Sequence, residues 1–192
     1  MTKLISLKLY ISIYGMSKIA QLINFSILKK YGLERKKYFY ALSSLSPNKN
    51  FKWILEEARQ NPKETFVISG MKIELFSDAD LGDKPDNVIF TGYIRDEQVK
   101  ALLSECKTFL FPTWYEGFGI PPLEALSCGT KITVSDIPVM HEIYGNCANY
   151  IDPHTATYRG EELLGRNDHY EKILAKYSWK KTAAVILNAL KG

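Results

Sequence analysis

The apolar and polar positions of the 192-residue chain change character near residue 37. Residues 6–13 (SLKLYISI) alternate, the period of two expected of a strand. From Met16 onward, apolar positions 16, 19, 20, 22, 23, 27 and 28 follow a helical period instead. After residue 37 the text becomes regular. Residues 37–44 (KYFYALSS), 65–70 (TFVISG), 87–93 (NVIFTGY), 107–112 (KTFLFP) and 131–135 (KITVS) read as five buried strands. Helices are predicted over 46–60, entered behind Pro47 and Asn48, and over 96–105 with Asp96 near its start. Further helices are expected over 120–129, opened by Pro121 and closed by Gly129, and over 138–145, 167–176 and 178–190. Strands of Val, Ile, Phe and Leu alternating with amphipathic helices imply an α/β domain of Rossmann-like form, a parallel sheet with helices on both faces. Such sheets bind ligands beyond the carboxyl ends of their strands, so the chemistry is sought there.

Composition narrows the classes. The length corresponds to about 1.3 domains, and 46% hydrophobic with 24% charged residues describes a globular chain rather than disorder, collagen or coiled coil. No apolar run approaches the roughly 20 residues of a membrane span, and the first residues lack a signal-peptide pattern, which points to a cytoplasmic protein. Cys106, Cys128 and Cys147 are too far apart for a disulfide framework or a zinc site, and His141, His154 and His169 form no metal-binding pair. No metal centre is expected. Net charge is +4, yet residues 1–37 hold eight basic groups against Glu34 alone. No basic stripe or fold signature of nucleic-acid binding accompanies them. Residues 1–36 are read as a basic, apolar-rich leader, either a linker, a remnant of another domain or a contact for an anionic membrane surface. Residues 37–192 form the folded domain.

Familiar nucleotide motifs fail. Gly117 and Gly119 make a G-x-G, but Pro122 stands at the third glycine of a dinucleotide fingerprint, and Gly160 and Gly165 are followed by Arg166 and Asn167 instead of the P-loop Lys and Ser/Thr. The informative stretch is TWYEGFGIPPLEALSCGT, residues 113–130. Glu116 follows a strand and Glu124 lies eight positions later, within the next helix. Between them the N–H groups of Gly119 and Ile120, with the helix dipole behind, make a seat for a diphosphate. Two carboxylates beside an anion seat suit sugar or ribose hydroxyls, and equally a capped helix carrying exposed acids.

Four segments together, YFYALSSLSPNKNFKWILEEA, VIFTGYIRDEQVKALLSECKTFLFPTWYEGFGIPPLEALSCGT, VSDIPVMHEIYG and YSWKKTA, resemble in order the C-terminal, donor-binding domain of the retaining GT-B glycosyltransferases of family 4 (glycosyl transferases group 1). The resemblance covers about residues 37–190, and FSILKKYGLERKK resembles the usual lead-in to that domain. It implies that Glu116 touches the donor sugar and Glu124 holds the ribose. Phe118, Gly119 and Ile120 match the loop approaching sugar and diphosphate, and Lys49 matches the lysine that neutralises the leaving diphosphate. Tyr93 and Ile94 match the base-contacting turn. Where many relatives carry a basic phosphate contact after the first strand, this chain has Ser43 and Ser44, so Ser44 can donate a hydrogen bond but no charge.

The family's enzymes place an acceptor-binding domain before this one, and here only about 36 residues precede it. The resemblance therefore implies a metal-independent glycosyltransferase using a UDP- or GDP-linked sugar, in bacterial polysaccharide or lipid-linked glycan synthesis. Its rival is a truncated or split nucleotide-sugar-binding module, inactive without a separate acceptor-domain chain and exposing a surface for that partner or for self-association. A nucleotide-sugar 2-epimerase shares the architecture but would also need both domains.

Overall fold

The computed structural model describes residues 25–42, 47–70, 84–177 and 179–191. Readings that fall on residues 6–13, on 16–24, and on Ser43 and Ser44 lie outside the described residues.

Six strands, β1 (Tyr38–Leu42), β2 (Thr65–Ser69), β3 (Val88–Gly92), β4 (Thr108–Phe111), β5 (Ile132–Ser135) and β6 (Asn149–Ile151), form one sheet in the order β3-β2-β1-β4-β5-β6. Every pairing is parallel, with Phe39 opposite both Phe66 on β2 and Thr108 on β4. The helices are α1 (Ser26–Lys30), α2 (Phe51–Gln60), α3 (Asp96–Glu105), α4 (Ile120–Ser127), α5 (Pro138–Tyr144), α6 (Tyr170–Lys176) and α7 (Trp179–Lys191). No helix among the described residues is long and apolar enough to cross a membrane.

The apolar runs explain the layers. Alternate residues of a strand face opposite sides, so Tyr38 and Tyr40 of β1 enter one core while Phe39 and Ala41 enter the other. The first core joins Tyr40, Phe109, Phe111 and Val134 to Leu102 of α3, Leu126 of α4 and Met140 of α5. The second joins Phe39, Phe66 and Leu110 to Trp53, Ile54 and Ala58 of α2, with the Phe39 and Phe66 rings stacked at 5.2 Å. A sheet covered on both faces is the expected α/β fold.

Three differences from the sequence reading have local causes. The short edge strand β6 was not anticipated, because only Ile151 of its three residues is buried and no apolar run announces it. Helix α4 begins at Ile120, which places Pro121 second and not first. Packing also starts before residue 37. Ile27 and Leu28 of α1 are buried in the first core, and Arg35 donates through Nε and Nη2 to the Glu105 carboxylate at 2.6 and 2.7 Å. The segment assigned to the leader thus includes residues built into the domain.

Candidate functional site

Strand order locates the crevice. The winding reverses between β1 and β4, since β2 and β3 extend the sheet on one side and β5 and β6 on the other. Loops leaving the carboxyl ends of these two strands diverge, and a ligand can enter between them. Lys49 lies in the loop after β1 and Glu116 in the loop after β4. Their side chains meet there as an ion pair between the Lys49 ammonium and the Glu116 Oε1, with only 16% and 13% of each side chain exposed. The Lys49 ammonium also sits 5.1 Å from the Phe111 ring centroid.

Main-chain stitching holds the two loops together. Residues Pro47–Lys49 form a single 3₁₀ turn. The Asn48 carbonyl at its centre accepts from the Trp114 N–H and the Thr113 hydroxyl, each at 2.8 Å. The Asn48 amide donates to the Tyr115 carbonyl at 3.1 Å. The Thr113 Oγ1 also lies 3.2 Å from Glu116 Oε1, and Ser135 of β5 donates to the Thr113 carbonyl at 2.6 Å. Asn50, left-handed at φ 52°, turns the chain from the 3₁₀ turn into α2, and its amide donates to the Pro153 carbonyl at 2.8 Å. An Asn tolerates this conformation better than most side chains.

The loop after Glu116 is equally constrained. Gly119 precedes α4 at φ 75°, and a Cβ there would stand 2.8 Å from the Met140 Cε. The Tyr144 hydroxyl donates to the Gly119 carbonyl. No side chain caps this end of α4, so its leading N–H groups are left without a side-chain acceptor, with the helix dipole behind them. Phe118 is half-buried, edge-on to the Tyr177 ring at 5.0 Å. Ile120 opens the helix, and Glu124 follows one turn later, half-buried, close enough to Tyr40 and Cys128 to help hold the phenol and the thiol protonated.

The structure therefore brings Lys49 and Glu116 into contact and sets Gly119, Ile120 and Glu124 along the adjoining helix. It does not place every expected residue in that contact. Tyr93 is 82% exposed just beyond β3, while Ile94 is buried in the first core, so Ile94 offers a ligand its main chain and not its side chain. Burial pushes the Cys128 and Cys147 thiols up to about 11 and the Cys106 thiol further up, which makes all three poor nucleophiles. Gly165 has a packing role: a Cβ there would lie 2.6 Å from the Ile132 backbone. Sequence reasoning missed Asn48, Thr113 and Tyr144. Thr113 could have been found from its place in the TWYEGFG stretch; Asn48 acts mainly through its backbone, and Tyr144 reads as an ordinary core aromatic.

A lysine–carboxylate pair at the switch point of a parallel sheet, beside an uncapped helix N-terminus, defines an α/β domain whose chemistry sits on its strand ends. The model of the family Glycosyl transferases group 1 matches residues 24–157, and the chain belongs to that family. The match begins ahead of α1, in keeping with the buried Ile27 and Leu28. Among curated relatives, the chain is 27% identical over 184 residues to O-antigen chain mannosyltransferase B of Escherichia coli, covering 86% of this chain and 48% of that protein. It is 28% identical over 171 residues to O-antigen chain mannosyltransferase RfbU of Salmonella typhimurium, covering 82% and 48%. The chain thus spans about half the length of these relatives. Among solved structures it superposes on sucrose-phosphate synthase of Thermosynechococcus elongatus with TM-score 0.70 at 16% identity, over 89% of this chain and 49% of that one. HepE of Anabaena, solved with UDP-glucose, gives TM-score 0.58 at 18% identity over 76% and 42%. The expected Rossmann-like fold and the family resemblance are both borne out.

Proposed function

We propose that this chain is the donor-binding half of a retaining glycosyltransferase that moves a sugar from a nucleotide donor to a growing bacterial glycan. The observation that carries the reading is the meeting of Lys49 and Glu116 at the switch point. Transfer leaves negative charge on the departing diphosphate, and a fixed cation at that position lowers the barrier. Lys49 takes that role, assisted by the Gly119 and Ile120 N–H groups and the α4 dipole, with Ser44 as an uncharged hydrogen-bond donor to the phosphates. Charge neutralisation by these groups lets the reaction run without a metal. Glu116 and the Phe118 loop receive the sugar, Glu124 the ribose, and the Tyr93–Ile94 turn the base. The mannosyltransferase relatives favour a mannosyl donor, which makes GDP-mannose the first substrate to test and UDP-sugars the second. A cytoplasmic setting, with the basic residues that precede α1 against an anionic membrane surface, belongs to the same reading.

Transfer also needs a second folded body. Retention requires the acceptor hydroxyl to be held against the donor carbon, and such positioning is worth roughly 7–11 kcal/mol of barrier. On α7, Val185, Ile186, Leu187 and Leu190 are 54–78% exposed, an apolar surface suited to covering by an acceptor domain. The 192-residue chain alone is expected to bind nucleotide and to transfer at background rates.

Calorimetric titration tests the assignments. Lys49→Ala should lose about 1.5–3 kcal/mol toward GDP or UDP and little toward guanosine or uridine, whereas Glu124→Ala should weaken nucleotide and nucleoside alike. Equal losses for Lys49→Ala with and without phosphates would remove it from the diphosphate site.

A further inference from the structure

Immediately before Glu116, the loop after β4 presents two aromatic side chains to solvent on a backbone that is tied down. Trp114 is 39% exposed and Tyr115 is 70% exposed. Yet the Trp114 N–H and the Tyr115 carbonyl are both bonded to Asn48, at 2.8 and 3.1 Å. The Trp114 ring packs against His154, centroid to centroid 4.7 Å and tilted by 52°. His154 is itself exposed, in the turn after β6, and that turn is also pinned. Its Pro153 carbonyl accepts from Asn50, and its Asp152 and Thr155 carbonyls accept from the Trp53 indole at 3.1 and 2.9 Å. Neither the aromatic loop nor the histidine turn has to be ordered before a ligand arrives.

Large rings left partly in water on a rigid frame, one and two residues before Glu116, call for an occupant. A pyranose ring offers an apolar C–H face that stacks on an aromatic side chain, with hydroxyls around its rim that need hydrogen-bond partners. The patch supplies both, through the two rings and through the His154 imidazole. A nucleobase would also stack, but the turn assigned to the base follows β3, at the opposite edge of the sheet from β6. We propose that Trp114, Tyr115 and His154 form a platform for a pyranose unit of the acceptor glycan, beside the site of the reacting sugar. This rests on the glycosyl-transfer reading for the word acceptor; the saccharide contact itself rests on the patch.

Saturation-transfer NMR on the full chain tests it with three probes, α-mannotriose, maltotriose and chitotriose, alongside calorimetry with GDP and UDP. At least one trisaccharide should titrate with the wild-type chain. Its affinity should fall fivefold or more in Trp114→Ala and in Tyr115→Ala, and stay within twofold in Trp114→Phe, which keeps an aromatic face. Tyr115→Ala guards against misfolding, since that side chain is mostly in solvent. Nucleotide affinity should be unchanged in all three variants. The platform is overturned if no trisaccharide binds, or if affinity is the same with and without the rings. Trisaccharide binding that depends on Trp114, in a chain that binds neither nucleotide, would keep the platform and end the donor reading. Nucleotide binding with no trisaccharide signal would do the reverse.

Discussion

The chain's proposed phosphate-binding cation is paired with its own proposed sugar-binding carboxylate, and this pairing makes an unusual mutational outcome necessary. A diphosphate that approaches Lys49 must displace Glu116, whose carboxylate both occupies the ammonium and repels the incoming charge. Glu116→Gln keeps the size and one acceptor oxygen but removes the charge. Glu116→Gln leaves a hydrogen bond to the charged ammonium but removes the carboxylate–ammonium attraction, which lowers the competition by about 1 kcal/mol. Repulsion adds to this. A carboxylate about 6 Å from one phosphate charge costs about 2–3 kcal/mol at an effective dielectric of 20. The 16% and 13% exposures leave this only partly screened before binding, and entry of a solvated ligand reduces it further. The two effects together predict nucleoside diphosphate binding about 5- to 100-fold tighter in Glu116→Gln. The nucleotide sugar should gain far less, because the sugar hydroxyls lose an ionised acceptor that offsets the relief at the phosphates.

The informative quantity is therefore the ratio of the two affinities, which should shift by about threefold or more toward the sugar-free nucleotide. Isothermal calorimetry with GDP, GDP-mannose, UDP and UDP-glucose measures it directly, and thermal unfolding checks that the variant is folded. Glu116→Gln binding diphosphate no more tightly than the wild type would refute the reasoning. It would mean that the ion pair does not stand between the ligand and Lys49.

Three other outcomes follow from the packing. Glu57 is fully buried, and burial pushes its carboxyl up to about 7 although the Tyr158 N–H and the Asn61 amide donate to it; because its native pKa lies above the unfolded value, stability should fall as pH rises from about 4.5 through 7, by up to about 3 kcal/mol, and urea midpoints against pH should flatten in Glu57→Gln. Gly119→Ala forces a side chain into a left-handed conformation costing about 1–2 kcal/mol and into the Met140 methyl, so its melting temperature should drop by about 2–8 °C and nucleotide binding should weaken, whereas Gly117→Ala, with nothing within 4 Å of its Cβ, should melt like the wild type. If the exposed face of α7 drives association, sedimentation of the isolated chain should be concentration-dependent, and the double variant Ile186→Lys with Leu190→Lys should sediment as a monomer at the same melting temperature.

What could be read from the sequence divides along a physical line. Strands buried on both faces are written as continuous apolar runs, so β1, β2, β4 and β5 were legible almost to the residue. Helix α3 was legible to the residue, since Asp96 marks its start and Lys107 begins the next apolar run. β6 was not, because an edge strand of three residues buries too few side chains to impose a period, whereas Ile27 and Leu28 of α1 already fell on the helical period read from Met16 but were assigned to the leader. The same line runs through the site. Lys49, Glu116 and Glu124 stand out as candidates through the family resemblance, which charged side chains at fixed positions make visible in the sequence. Asn48 does not, because its contribution is largely a carbonyl oxygen that ties the 3₁₀ turn to the Trp114 loop, and any residue type has that oxygen. Trp114 and His154 lie 40 positions apart and touch only because β4 and β6 flank β5 in one parallel sheet, which carries their following loops to the same edge. A residue that acts on a ligand must differ chemically from its neighbours, and so leaves a mark in the sequence. A residue that positions another needs only the right place in the topology, and that place becomes visible once the strand order is known.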